Sequence, residues 1–262
     1  MHLELVTREP QSASRSTPIL FVHGMWHAAW CWEEHFLPYF AQRGYTVHAM
    51  SLRGHGGSEG RERLRWATMA DYISDVKQII EQIGQTPILV GHSMGGAIVQ
   101  RVLESYQAPA AILLASAPHT GLIPATVRVF LRHPLAVIKV NLKLSLLPVV
   151  RTPSMAQEIL FSADMPKEQL QNYFSRIQDE AYCAYMDLLG LNLPRPKRVK
   201  TPVLVLGAAN DTVFAQSETE RMARAYGTQA EFFQNMAHNM MLEAGWQSVA
   251  DRMLAWLDER RL

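Results

Sequence analysis

Pro87-Ile-Leu-Val90-Gly91-His92-Ser93-Met94-Gly95-Gly96-Ala97 is the stretch on which the fold turns. Its opening is a short apolar run after a proline, the pattern of a buried strand. A helix is predicted to begin near Gly96 and to continue over Ala97 to Tyr106. Between strand and helix stands Gly-x-Ser-x-Gly. A serine at such a turn sits in a strained backbone, so small neighbours are needed where the chain passes close to itself. The helix behind it aims its N-terminal N–H groups at developing negative charge. Pattern and context together predict a nucleophile elbow with Ser93 at its tip. The competing reading is a glycine-rich turn carrying an incidental serine.

Outward from this stretch, further short strands are predicted at Ile19 to Val22, Tyr45 to Met50, Ala111 to Ala115, Pro202 to Leu206 and Ala230 to Phe233. Met69 to Ile83 has apolar residues near 3.6 spacing and stops at Gly84, so it reads as a helix; Ser217 to Tyr226 is another. Strands alternating with helices predict an α/β fold with a mostly parallel sheet flanked by helices on both faces. The rhythm breaks after His119, where prolines recur at 124, 134, 148, 153 and 166. The expected organisation is a core of residues 1–118 and 201–262, interrupted by a helical insertion, 119–200, over the sheet.

The chain of 262 residues is long enough for one domain with one large core. A hydrophobic fraction of 48%, a charged fraction of 19% and a formal net charge of +1 are ordinary for a globular protein and argue against a nucleic-acid partner. Cys31 and Cys183 show neither metal-ligand spacing nor a CxxC pattern, which is compatible with a reducing compartment; the expected location is the cytoplasm. Met1 to Pro10 has no apolar core of a signal peptide, and no run of about 18 apolar residues predicts a transmembrane segment.

A serine hydroxyl needs a base. Downstream of Ser93 the histidines are His119, His133 and His238, and only His238 follows the last strand. It is expected to take the serine proton and return it to the leaving group. The acid that orients it is expected at Asp211, after the Val203–Leu206 strand; Ala115 to Pro118 offers no carboxylate, and Glu218 and Glu220 read as solvated charges on a helix. Asp211 as a turn or N-cap residue is the alternative. His23-Gly24-Met25 ends the first strong strand, so the backbone N–H groups of Met25 and Met94 are the expected oxyanion donors. His23 and His27 stand four apart but lack a third ligand, so no metal is expected. Gly54-His55-Gly56-Gly57 matches no phosphate-binding motif and reads as a loop at the sheet edge.

His23-Gly24, Arg53-Gly54-His55-Gly56-x-Ser58, Gly91 to Gly96, Asp211 and His238 in combination resemble the α/β-hydrolase superfamily. Ser51 stands where that family often has Asp. His23-Gly-Met-Trp-His27-Ala-Ala-Trp30-Cys-Trp32 is similar to the opening motif of plant methylesterases and hydroxynitrile lyases. The lyases carry Thr after the first His and Lys after the catalytic His; Gly24 and Asn239 therefore favour ester hydrolysis. The resemblance implies that the insertion is a cap over the nucleophile and that no cofactor is used. Val127, Phe130, Leu131, Leu135, Ile138, Leu142 and Leu146 recur near helical spacing. They either dock the cap or line an apolar pocket, with Trp26, Phe130, Leu131, Leu135 and Leu142 as its candidate substrate-binding residues.

The expected substrate is a small carboxylic ester with an apolar acyl or alcohol part. The same triad also serves thioesterase, amidase, C–C hydrolase or cofactor-free haloperoxidase chemistry, and a ligand receptor that retains the triad is the reading from another class. Ser105 to Gln157 contains Arg128, Arg132, Lys139, Lys143 and Arg151 but no Asp or Glu. This basic face either makes peripheral contact with an anionic membrane or is a solvated face balanced elsewhere, as by Glu33 and Glu34.

Overall fold

The structure, a computed structural model, describes residues 1–10 and 15–262. Seven strands form one sheet: β1 (Leu5–Arg8), β2 (Ile19–Val22), β3 (Val47–Met50), β4 (Ile88–His92), β5 (Ala111–Leu114), β6 (Val203–Ala208) and β7 (Ala230–Phe233). Their spatial order is β1-β3-β2-β4-β5-β6-β7. β1 runs antiparallel to β3, and every other pairing is parallel. The mostly parallel α/β architecture is the one expected. β2, β3, β4, β5 and β6 are buried at every position, which explains their continuous apolar runs.

β1 escapes a sequence reading because it is an edge strand of four residues, half of them exposed, next to charged Arg8 and Glu9. The helices of the first half are α1 (Trp30–Glu33), α2 (Phe36–Gln42), α3 (Met69–Ile83) and α4 (Met94–Val102). α3 has the predicted limits for visible reasons. Thr68 and Asp71 form a reciprocal capping box at its start, and Gly84 ends it at φ +70°. α4 starts at Met94 rather than near Gly96, directly after the serine, and ends at Val102.

Between β5 and β6 the chain forms α5 (Ile123–Arg132), α6 (Pro134–Lys143), α7 (Pro153–Leu160), α8 (Lys167–Ser175) and α9 (Tyr182–Met186), and no strand. β6 then pairs beside β5, Ala111 opposite Val203. α10 (Gln216–Ala225) and α11 (Trp246–Asp258) complete the core. Among the described residues no helix is long and apolar enough to cross a membrane.

The order of strands positions the site. From β2 the chain moves to β3 on one side, whereas β4 pairs on the other side of β2 and leads on to β5. Loops after β2 and β4 therefore part in opposite directions, and a crevice opens at their carboxyl ends. Val22 lies opposite Gly91 in that register, so the His23–Trp26 loop faces the Ser93 turn.

Candidate active site

Ser93 follows β4 at φ +52°, ψ −121°, a conformation an L-residue rarely adopts. Its carbonyl accepts hydrogen bonds from the N–H groups of Gly96 (3.0 Å) and Ala117 (2.9 Å), and its own N–H donates to Leu114 O at 3.2 Å. Glycine is required at 95 because a Cβ there would run into the backbone carbonyls of Val22 and His23. The tight packing of α4 against β2 thus holds the serine in its strained turn.

His238, in the loop after β7, places Nε2 2.9 Å from Ser93 Oγ and Nδ1 2.9 Å from Asp211 Oδ2. A carboxylate only accepts, so Nδ1 carries the proton and Nε2 offers its lone pair to the serine hydroxyl. The other Asp211 oxygen accepts from the N–H groups of Val213 (2.7 Å) and Phe214 (3.1 Å), which fixes the carboxylate in the loop after β6. Phe214 also meets the His238 ring edge-on, with centroids 5.4 Å apart. Ser93, Asp211 and His238, singled out in the sequence, stand in one hydrogen-bonded chain.

α7 braces both loops that carry this chain. Thr212 Oγ1 donates to Glu158 O at 3.0 Å, and Asn239 N donates to Leu160 O at 2.9 Å.

Two residues without a side-chain role in the sequence reading join the site. His27 Nδ1 lies 2.6 Å from Met25 O and Nε2 3.1 Å from Asn239 Nδ2. The carbonyl needs a donor, so Nδ1 is protonated and Nε2 accepts from the Asn239 amide. His27 therefore ties the loop after β2 to the loop of His238. Burial pulls its pKa down to about 4 despite the Met25 bond, so the ring is neutral. His23 is similarly spent: Leu52 N donates to Nε2 at 3.0 Å, leaving Nδ1 to donate to Gly24 O at 2.8 Å. His92 Nε2 donates to His238 O at 3.0 Å. Burial, followed by the nearby His238, lowers the pKa of His92 well below the ordinary histidine value.

The Gly54 to Ser58 loop meets the helical segment between β5 and β6 through buried His55. Its Nε2 lies 3.3 Å from Glu180 Oε2, while Tyr72 OH donates to Glu180 Oε1 at 2.6 Å. Burial alone would lower the His55 pKa, but the Glu180 charge and hydrogen bond, with Arg53 O, raise it overall.

Above Ser93 lies a narrow cleft whose walls include Met25, Trp26, Met94, Val129, Val140 and Phe214. Its polar groups beyond Ser93 and His238 include Thr126 and Tyr185, whose hydroxyls bond each other at 3.0 Å. Trp26 lines the cleft as expected, at φ +66°. Phe130, Leu131, Leu135 and Leu142 do not; all four are exposed, Leu131 at 76% and Leu142 at 79%. The reason is helical phase. On α5 the inward stripe is Leu122, Ala125, Thr126 and Val129, and on α6 it is Val137 and Val140, so the predicted stripe occupies the outer faces. Leu146 from the same series does reach the cleft. Glu218, expected to be solvated, instead pairs with Arg128 at 2.5 Å and caps Ala215 N at 2.7 Å.

Comparison with known proteins places this geometry in a family. The sequence model of the alpha/beta hydrolase family matches residues 19–252. A pyrethroid hydrolase of Sphingobium wenxiniae is 35% identical over 83 residues, 32% of this chain and 29% of that one. Methylesterase 4 of Arabidopsis thaliana is 32% identical over 115 residues, 41% of this chain and 43% of that one. The chain thus matches less than half the length of these curated relatives. Among solved structures, an esterase from Thermogutta terrifontis superposes with a TM-score of 0.75 at 19% identity, over 99% of this chain and 94% of that one. The monoacylglycerol lipase of Paleococcus ferrophilus reaches 0.74 at 19% identity, over 99% and 100%. At such identities the likeness concerns the fold. The family match, covering all but the ends of the chain, carries the conclusion that this protein belongs to the alpha/beta hydrolase family.

Proposed function

We propose that the protein hydrolyses a carboxylic ester with an apolar acyl or alcohol part through an acyl-enzyme intermediate. The observation that carries this reading is the Ser93–His238–Asp211 chain, two contacts of 2.9 Å, beneath an apolar cleft. Ser93 Oγ attacks the ester carbonyl while His238 Nε2 takes its proton. The carbonyl π electrons move to oxygen, and the oxyanion is met by the N–H groups of Met25 and Met94; the latter opens α4, where first-turn N–H groups lack intrahelical partners. Collapse breaks the bond to the alkoxy oxygen, which leaves with the proton from His238. Water, deprotonated by the same nitrogen, then attacks the acyl carbon and releases the acid and Ser93. Asp211 holds the imidazole tautomer and stabilises its cation throughout. No step calls for a cofactor.

In this reading residues 119–200 are the cap that shapes the cleft, and Trp26, Val129 and Val140 contact the apolar part of the substrate. The methylesterase likeness and the absence, among the described residues, of a charged residue from the cleft lining support a neutral ester. Ser93→Ala is expected to lower kcat by about 10⁵- to 10⁶-fold on p-nitrophenyl esters. It also abolishes labelling by a fluorophosphonate probe. Undiminished turnover by the pure variant would overturn the assignment.

A further inference from the structure

α5 and α6 are apolar on two sides, which a helix on a protein surface needs only if it has two apolar neighbours. Their inner sides have one, the cleft. Their outer sides present Ile123, Val127, Phe130, Leu131, Leu135, Ile138 and Leu142 to solvent. At i, i+4, i+7 and i+8 the first four form a single stripe along α5. Scattered exposed apolar residues need no explanation, but a run of them on two consecutive helices does.

The same face is positively charged. Arg132, Lys139, Lys143 and Arg151 are exposed, and none takes part in an ion pair among the described residues. Arg128, by contrast, is turned away to Glu218 and Val213 O. Arg132, Lys139 and Arg151 line one groove together with Leu135, Pro148 and Met155, and among the described residues no carboxylate lines it. Glu158, the first acid to follow in sequence, is engaged by His133 at 3.0 Å.

We propose that the outer face of α5 and α6 docks on an anionic phospholipid surface, with the apolar stripe entering the acyl boundary and the groove cations meeting headgroup phosphates. Charge selects this occupant over a second copy of the chain. A twofold contact sets a patch against itself and would bring the cations Arg132, Lys139, Lys143 and Arg151 of one copy against the same cationic patch of the other. A lipid surface instead supplies the missing negative charge and the apolar phase at once. Docking would leave one helix diameter, about 10 Å, between the bilayer boundary and the cleft. The inference stands apart from the catalytic reading, because it concerns binding alone.

Vesicle co-sedimentation tests it, comparing phosphatidylcholine with a phosphatidylcholine–phosphatidylglycerol mixture at low and high salt. The expected result is at least tenfold stronger partitioning to the anionic vesicles, falling as salt rises. Lys139→Glu with Lys143→Glu, and separately Leu131→Ser with Leu142→Ser, are each expected to lower that partitioning tenfold or more. Both pairs are exposed, and unchanged circular dichroism melting confirms that the variants fold. Three outcomes overturn the proposal: equal binding to neutral vesicles, no binding to either, or variants that bind like the parent. A lipid-free dimer that Leu131→Ser with Leu142→Ser makes monomeric would give the face to a second copy and overturn it as well.

Discussion

At the scale of single residues, the site divides into groups that announce themselves and groups that do not. Ser93 is visible because a Gly-x-Ser-x-Gly turn between strand and helix has few other uses. His238 and Asp211 are visible because the positions after the last strands leave few alternatives. The hydrogen bond between His27 and Asn239 is silent in the sequence, since it joins residues 212 positions apart. That bond yields a prediction. His27→Leu removes both the donor to Met25 O and the acceptor of the Asn239 amide, leaving two buried polar groups unpaired. If the Met25 N–H meets the oxyanion as proposed, slack in its loop is expected to lower kcat about tenfold to a hundredfold with KM little changed. Fluorophosphonate still labels Ser93, more slowly. Steady-state kinetics on one short and one long ester checks this, and a KM effect alone would return His27 to a purely structural role. Gly24 belongs to the same neighbourhood, because a Cβ there would stand 2.8 Å from Ser93 Cβ. Glycine at 24 therefore has a steric reason.

At the scale of elements, periodicity is a good guide to the existence of a helix and a poor one to its orientation. α3 is legible to the residue because it has one apolar stripe, a capping box and a terminal glycine. α5 and α6 have two stripes each, and nothing in their spacing tells which one faces the cleft. The bulkier stripe, open in the sequence between docking the cap and lining a pocket, lies on the outer faces, and smaller residues such as Ala125, Thr126, Val129, Val137 and Val140 line the cleft. Val140 is the sharpest test of that inner face, being 2% exposed and on the cleft wall. Val140→Phe fills part of the cleft, so activity on long-chain p-nitrophenyl esters should fall tenfold or more while acetate turnover changes less than about twofold. Overpacking is expected to cost about 1–3 kcal/mol of stability, measured by denaturant melting. An unchanged chain-length profile would show that the acyl group lies elsewhere.

At the scale of the whole molecule, stability is tied to a set of buried histidines. Burial lowers the pKa values of His23, His27 and His92, so these rings fold neutral. Below about pH 6.5 the unfolded chain takes up protons that the folded one refuses, and stability declines as pH falls. With its pKa near 4, His27 alone accounts for about 2 kcal/mol of that loss at pH 5. His55 acts with the opposite sign. Its raised pKa, against the pull of burial, makes the Glu180 contact fully stabilising below about pH 6.5, and that contribution is lost as pH climbs through the folded value. Melting temperature is therefore expected to peak near neutrality and to drop by several degrees by pH 5. Glu180→Gln should flatten the alkaline limb and leave the acid limb in place. A melting temperature that is flat from pH 7 to 5 would refute this account. The mostly parallel sheet was readable from its apolar runs, whereas β1 needed its partner β3 to exist at all. The hydrogen bonds from Thr212 and Asn239 to the C-terminal end of α7 have a consequence at this same scale. This helix, which lies within residues 119–200, is also a strut for the loops bearing Asp211 and His238. On the proposed reading, substrate preference and catalytic alignment are consequently not separable modules in this chain. A transplant of the 119–200 segment from a relative would have to bring a matching α7, or the reacting groups would drift out of register with the new cleft.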